Sequence, residues 1–218
     1  MRIDRNSYGT LAGVYAIALA AAIPLAVFVP SPWVKWPLLF LLLWFCIWQT
    51  MFFMVPVRRP AGSGSILTSV ADGRVVIAEN TFESEVLGRE AVQISVYMNF
   101  FDVHANFWPL DAEVVSYDYH PGAHFLAFHP KSSLENEHTC VLLRNADGKE
   151  ILFKQIAGGF ARRIVCKAVP GLMVRAGEQC GIIKFGSRID IFVPVGSDIR
   201  VKVGDLVRSC ETVLAEIR

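Results

Sequence analysis

Three short stretches set reactive side chains in polar, turn-like surroundings. Ser69-Val70-Ala71-Asp72-Gly73 puts a carboxylate beside a glycine, Asn99-Phe100-Phe101-Asp102-Val103-His104-Ala105-Asn106 carries an imidazole, and Gly186-Ser187 places a hydroxyl inside the alternating run IKFGSRIDIFVP. Each has a bland reading. An Asp-Gly after a strand is a common turn, a lone histidine in an apolar stretch is commonly a satisfied core residue, and a glycine inside a strand marks a bulge or a close backbone approach. The other reading is chemistry on the chain itself at the Gly186–Ser187 junction. Taken singly these signals are weak; in combination they are not.

The elements that hold these residues fall into two parts. Hydrophobic residues make up 53% of the 218, and the excess lies at the N-terminal end. Asn6–Val34 and Trp36–Val57 contain no charged residue. Each run is long enough to cross a hydrocarbon core of roughly 30 Å. Lys35 separates them, inside a tip loop SPWVKW whose tryptophans Trp33 and Trp36 suit a membrane–water interface. Arg2 and Arg5 precede the first run and Arg58 and Arg59 follow the second, so the positive-inside rule predicts a cytoplasmic location for everything beyond residue 60, on a cell (inner) membrane. A cleaved signal peptide and a buried helical hairpin are the competing readings. The first run is long for a signal peptide, and LLFLLLWF has no polar face to show water.

After the Pro/Gly/Ser-rich segment RRPAGSGS the pattern changes to short β-branched runs punctuated by turns. These are residues 73–78, 91–98, 112–120, 140–145, 150–157, 164–169, 180–186 and 188–194, with Asn145-Ala146-Asp147-Gly148 as a hairpin signal. The fold expected is mainly β: a compact antiparallel domain over 61–218, preceded by a two-helix transmembrane hairpin over 1–60. Val174-Arg175-Ala176-Gly177-Glu178 and Val201-Lys202-Val203-Gly204-Asp205 echo one another, as the paired C-terminal hairpins of barrel-sandwich domains do. No modifiable lysine stands at either tip.

A net charge of +1 without a basic block gives no case for nucleic acid. Five scattered cysteines without a C-x-x-C point to reduced core thiols. His120, His124, His129 and His138 lie in a polar stretch without identifiable partners, and no metal is expected.

Over nearly all of residues 66–218 the ordered motifs resemble those of the phosphatidylserine decarboxylase family, short form. They are Ala71-Asp72-Gly73; Asp102-Val103-His104-Ala105-Asn106 with Pro109 and Asp111; Tyr119-His120-Pro121-Gly122; Lys131-Ser132-Ser133-Leu134-Glu135-Asn136-Glu137; Gln155-Ile156-Ala157-Gly158 with Ala161-Arg162-Arg163-Ile164-Val165-Cys166; and Phe185-Gly186-Ser187-Arg188.

The resemblance implies a self-processing proenzyme. The Ser187 hydroxyl would attack the Gly186 carbonyl and cleave the chain there, into a β chain ending at Gly186 and an α chain whose first residue becomes a pyruvoyl cofactor. His104 would be the base that activates the hydroxyl, and Asp72 would orient the imidazole and stabilise its protonated form. Gly186, lacking a Cβ, permits the close approach such an attack needs. The pyruvoyl ketone would then serve as electron sink for decarboxylation of phosphatidylserine, drawn from the bilayer, to phosphatidylethanolamine and CO2, a step of phospholipid biosynthesis. His104 is the first candidate to return the proton. The family also suggests a homodimer. For head-group contacts, Lys131, Asn136, Arg162, Arg163 and Arg188 are the candidates, with solvated or ion-paired structural roles as the alternative.

The chain departs from the family pattern in places. A second histidine of longer members is Phe101 here, Phe107-Trp108 replaces an Arg-containing pair and belongs either to the core or to the lipid interface, and Met54-Val55-Pro56 stands where R-D-P is frequent. Two other functions stay open at this point: a pyruvoyl decarboxylase for a different amino-phospholipid, and a membrane-tethered barrel-sandwich module that binds partners without catalysis.

Overall fold

In the computed structural model, which describes residues 2–122, 136–159, 163–184 and 187–218, the chain divides between Pro56 and Val57 into two units. In the first, β1 (Arg2–Ile3) precedes α1 (Tyr8–Phe28) and α2 (Pro32–Phe52), and β2 (Met54–Val55) returns to pair with β1. Each helix has 21 residues, or about 31 Å, the thickness of a bilayer's hydrocarbon core. Their surfaces expose Ile17, Leu19, Phe28, Phe40 and Leu43, which suggests membrane association. The tip is tighter than the expected SPWVKW loop. α2 begins at Pro32 because proline's fixed φ and missing N–H suit the first helical position, so Trp33, Lys35 and Trp36 lie on the helix. Lys35 Nζ reaches back to the Ala26 carbonyl of α1 at 3.2 Å, satisfying one of the acceptors left over at that helix end.

The second unit is all strand and turn among the described residues. Its strands are β3 (Ile66–Thr68), β4 (Gly73–Glu83), β5 (Arg89–Met98), β6 (Ala105–Phe107), β7 (Ala112–His120), β8 (His138–Arg144), β9 (Glu150–Ala157), β10 (Arg163–Cys166), β11 (Met173–Val174), β12 (Gln179–Lys184), β13 (Ser187–Pro194), β14 (Asp198–Ile199), β15 (Leu206–Val207) and β16 (Val213–Glu216). Every pairing among the described residues is antiparallel. An eight-stranded sheet runs β11-β7-β8-β9-β13-β5-β4-β15, beside the smaller sheets β10-β12-β6 and β14-β16-β3. Period-two alternation explains the core. Val92, Ile94, Val96 and Met98 of β5 and Ile189, Ile191 and Val193 of β13 point one way, onto Ile164, Cys180, Ile183 and Leu214 of the smaller sheets.

The expected hairpin between residues 145 and 148 is present. Asn145 Oδ1 accepts from the N–H groups of Asp147 and Lys149 (3.1 and 2.9 Å), an Asx turn. The two echoed pentapeptides both form turns, with Gly177 at φ 79° and Gly204 at 99°. Asp111 caps the first by accepting from Ala176 N–H at 2.8 Å. The linker-like RRPAGSGS is bonded into the second unit at Ala61, whose N–H donates to Cys210 (2.9 Å), and at Arg58.

The runs 180–186 and 188–194, which meet in IKFGSRIDIFVP, are two strands in different sheets: β12 (to Lys184) lies between β10 and β6, and β13 (from Ser187) between β9 and β5.

Candidate active site

Three strand ends converge. Ser187, the first residue of β13, is the register partner of Met98 on β5 and of Ala157 on β9. Asp72 immediately precedes β4, whose first residues run beside Tyr97 of β5. The approach there is close: a Cβ on Gly73 would sit 2.1 Å from the Tyr97 carbonyl oxygen. Glycine at that position is therefore a packing requirement as well as a turn signal. Gly73→Ala is expected to cost about 3 kcal/mol or more, because the obstacle is main chain and can move only by opening the β4–β5 pair. A lowered denaturation midpoint of the full chain in detergent would register it, and an unchanged midpoint would refute it.

The segment leaving β5 at Met98 turns through Asn99–Asp102 and enters β6 at Ala105, which sets His104 at the same end. The turn is held by Asp102 Oδ2 accepting from Asn99 N–H (2.8 Å) and by Asn99 Oδ1 accepting from Phe101 N–H (2.8 Å). β6 then pairs with β12, Asn106 opposite Gly181, and the His104 carbonyl accepts from Ile183 N–H at 3.4 Å. The base candidate is thus braced against the strand that leads to the Gly186–Ser187 junction.

His104 is fully buried. Its Nδ1 lies 2.8 Å from the Asp102 carbonyl oxygen, which can only accept, so the proton sits on Nδ1 and the lone pair on Nε2. Burial pushes the imidazole pKa down to about 4, against the Asp102 carbonyl and the Asp72 charge, which favour the protonated form. At neutral pH the ring is an uncharged base. Burial also raises the Asp102 carboxyl pKa, with the Asn99 N–H opposing and the Asp72 charge adding to it.

Asp72 is held from several sides. Arg58 grips both carboxylate oxygens, through Nη1 on Oδ1 and through Nη2 on Oδ2 at 2.8 Å, while Ser209 donates its N–H and hydroxyl to Oδ1, each at 2.9 Å. Asp72 acts on His104 as a nearby charge, and the Nδ1 acceptor is the Asp102 carbonyl.

The Ser187 hydroxyl is fully buried and donates to the Met98 sulfur at 3.7 Å. A chain of buried amides runs behind it. Asn106 Nδ2 reaches the same sulfur at 3.8 Å, Gln155 donates to Asn106 Oδ1 at 2.8 Å, and Thr139 donates to Gln155 Oε1 at 3.1 Å. Sequence reasoning did not single out Arg58, Ser209, Gln155 or Thr139 as site residues. Gln155 alone carried a usable signal, a polar side chain on the strand face whose alternate positions Ile151, Phe153 and Ala157 are apolar core residues.

The remaining candidates separate. Asn136 is buried, its side-chain amide donating to the Ala157 carbonyl at 2.7 Å, one register step from Ser187. Arg163 is the exposed first residue of β10, opposite Lys184. Arg188 is buried in a two-bond pair with Asp190 (2.8 and 2.9 Å), the structural alternative. Phe107 and Trp108 are core residues, Trp108 meeting Phe153 edge to face at 5.8 Å. Lys131, Arg162 and Gly186 lie outside the described residues. All five cysteines are free thiols.

Comparison with known proteins adds an independent line. A family model described as phosphatidylserine decarboxylase matches residues 45–215. Proteins named phosphatidylserine decarboxylase proenzyme are similar along the chain. The one from Nitrosomonas eutropha is 39% identical over 99% of this chain and 95% of its own length. The one from Aromatoleum aromaticum is 42% identical over 93% and 91%, and the one from Amoebophilus asiaticus 42% over 78% and 76%.

Proposed function

The chain belongs to the phosphatidylserine decarboxylase family, and from that premise we propose that it is a proenzyme that cleaves itself between Gly186 and Ser187 and then decarboxylates phosphatidylserine to phosphatidylethanolamine. What supports this reading is that a buried serine hydroxyl, a neutral buried imidazole and a clamped carboxylate stand at neighbouring ends of β13, β6 and β4 around β5.

In the proposed sequence His104 Nε2 takes the Ser187 hydroxyl proton and the oxygen attacks the Gly186 carbonyl. The peptide C–N bond breaks as the new ester forms, and the proton passes to the amine of residue 187. Asp72 stabilises the imidazolium as a charge, and the Asp102 carbonyl keeps the ring oriented. Abstraction of the Ser187 α-proton then expels the Gly186 carboxylate, and water replaces the nitrogen of residue 187, which leaves as ammonia. The residues present fit a pyruvoyl group at 187: a buried site, a small neighbour at Ala157, and an imidazole able to hold or return a proton. The group's ketone supplies the electron sink for loss of CO2.

The proposal extends to location. The two helices would lie in the cell membrane with the second unit on the cytoplasmic side, as Arg2, Arg5, Arg58 and Arg59 favour, so that the lipid's acyl chains stay in the bilayer while its head group is processed.

Denaturing mass spectrometry of the purified chain tests the processing. Two species are expected, one ending at Gly186 and one covering 187–218 that is blocked at its N-terminus and lighter than its serine-initiated mass. Under native conditions they stay together, because β13 is paired along its length with β5 and β9 of the other product. An intact chain of full mass refutes the reading. Release of CO2 from vesicles carrying phosphatidylserine, compared with vesicles of other amino-phospholipids, decides the head group.

A further inference from the structure

On the sheet face opposite the apolar core, β7 and β8 bring a second group of reactive side chains together. His120 and His138 are register partners, and Cys140 lies two residues along β8 on the same face as His138. Their imidazoles stack with centroids 4.7 Å apart and planes 7° apart. Glu85 arrives from the turn after β4. That turn is fixed by the Glu83 carboxylate, which accepts the N–H groups of Glu85, Val86 and Leu87 at 3.1, 2.9 and 2.7 Å, while Val86 and Leu87 pack onto Cys140, Leu152 and Phe192. One donor atom from each of Glu85, His120, His138 and Cys140 falls within 4.8 Å of all the others.

The hydrogen bonds around His138 call for a cation. Its Nδ1 is 2.7 Å from the Asn136 carbonyl, which can only accept, so the Nδ1 position carries the proton and the Nε2 lone pair points outward. That lone pair faces Glu85 Oε1 at 2.9 Å, and His120 Nε2 lies 3.6 Å from the same oxygen. Two acceptors do not attract each other without a positive charge between them. A proton would serve the His138–Glu85 pair alone; a metal ion would serve all four donors.

We propose that Glu85, His120, His138 and Cys140 bind one Zn²⁺. Two imidazole nitrogens, a thiolate and a carboxylate oxygen are the tetrahedral N/S/O set that zinc takes in closed structural sites, with bonds of about 2.0–2.3 Å. Those bonds require the donors to close by about 1 Å from their present spacing. The surroundings are those of a metal site. The Asn136 carbonyl fixes the His138 tautomer, as outer partners of ligating histidines do. Lys154 donates to Glu85 Oε2 at 2.6 Å and to Glu83 at 2.7 Å, which leaves Oε1 for the ion. The dication and the Lys154 ammonium together balance the Cys140 thiolate and the two carboxylates.

The site would join the end of β7 to the start of β8, the two strands that flank residues 121–137. It connects to the processing site through Asn136, whose carbonyl holds His138 and whose amide holds Ala157, the partner of Ser187. It shares no residue with the self-cleavage machinery, so metal content and cleavage fail independently.

The full-length chain, free of any affinity tag and purified in detergent without chelator, is expected to contain one zinc per chain by elemental mass spectrometry. After chelator stripping, titration with Co²⁺ alone should give the intense visible bands of tetrahedral cobalt and a thiolate-to-metal charge-transfer band. Cys140→Ser should remove the charge-transfer band, and His138→Gln should weaken binding by at least the ~10–100-fold typical of lost metal-site interactions. Because a variant can fail to fold, the wild-type cobalt spectrum decides first. A pale octahedral spectrum with substoichiometric zinc overturns the proposal, and so does a charge-transfer band that persists in folded Cys140→Ser.

Discussion

Ser187→Ala is expected to leave the chain as one uncut polypeptide and to reduce phosphatidylserine decarboxylation to background, a loss on the order of 10⁶-fold or more, the lower end of enzymatic rate enhancements. The size of the effect follows from the double use of one atom set. In the proposed mechanism the hydroxyl oxygen would be the nucleophile that breaks the Gly186–Ser187 bond, and the α-carbon of residue 187 would become the ketone carbon on which the second reaction depends, so no other group would substitute for either. The fold should tolerate the change. The hydroxyl's bond is to a thioether sulfur at 3.7 Å, a weak interaction whose loss costs under about 1 kcal/mol, while β13 keeps its pairing to β5 and β9. Denaturing mass spectrometry reads the first outcome, CO2 release from phosphatidylserine vesicles the second, and near-ultraviolet dichroism confirms native packing. Cleavage persisting at the same bond in the variant would remove Ser187 from its assigned role.

What could be read from the sequence depended on the range of the interaction. Strands with clean alternation and a local turn were legible nearly to the residue: 112–120 and 150–157 match β7 and β9, and the Asx turn at Asn145 is settled by atoms four residues apart. The runs 180–186 and 188–194 were legible as separate strands, but alternation records only which face each residue occupies, and both bury the same kind of face. Nothing in that pattern reports that β12 and β13 belong to different sheets. The site shows the same division. Asp72, His104 and Ser187 stand in motifs, so their types and order were visible. Arg58 and Ser209 meet Asp72 across 14 and 137 residues, one from a segment whose composition reads as linker and the other from a two-strand connection. The acceptor on His104 is a main-chain carbonyl, which no residue type announces. His120, His138 and the His138-Thr139-Cys140 spacing were visible, but His120 joins them only through the β7–β8 register and Glu85 only through the turn that Glu83 holds.

Replacing His104 should slow self-cleavage by about 10²–10⁴-fold, the usual worth of a positioned base, and the pH dependence of the wild type should identify the base. In the proposed mechanism neutral imidazole is the active form. Because burial lowers its pKa from 6.5 to about 4, the cleavage rate should hold level from neutral pH down to about pH 5 and then fall about tenfold per unit below pH 4; a solvated histidine would instead produce the break near 6.5. His104→Asn separates chemistry from architecture. The asparagine side-chain N–H can still donate to the Asp102 carbonyl, so the turn from Asn99 to Ala105 retains its brace, but the side chain offers no basic nitrogen. Pulse-labelled precursor from cell-free synthesis with detergent, sampled on a denaturing gel at several pH values, gives the rates directly. The expected pattern is a slow His104→Asn precursor whose residual rate lacks the acid limb. Wild-type cleavage by His104→Asn, or a wild-type break near 6.5, would mean that the proton from Ser187 goes to another group and that His104 is present for packing alone.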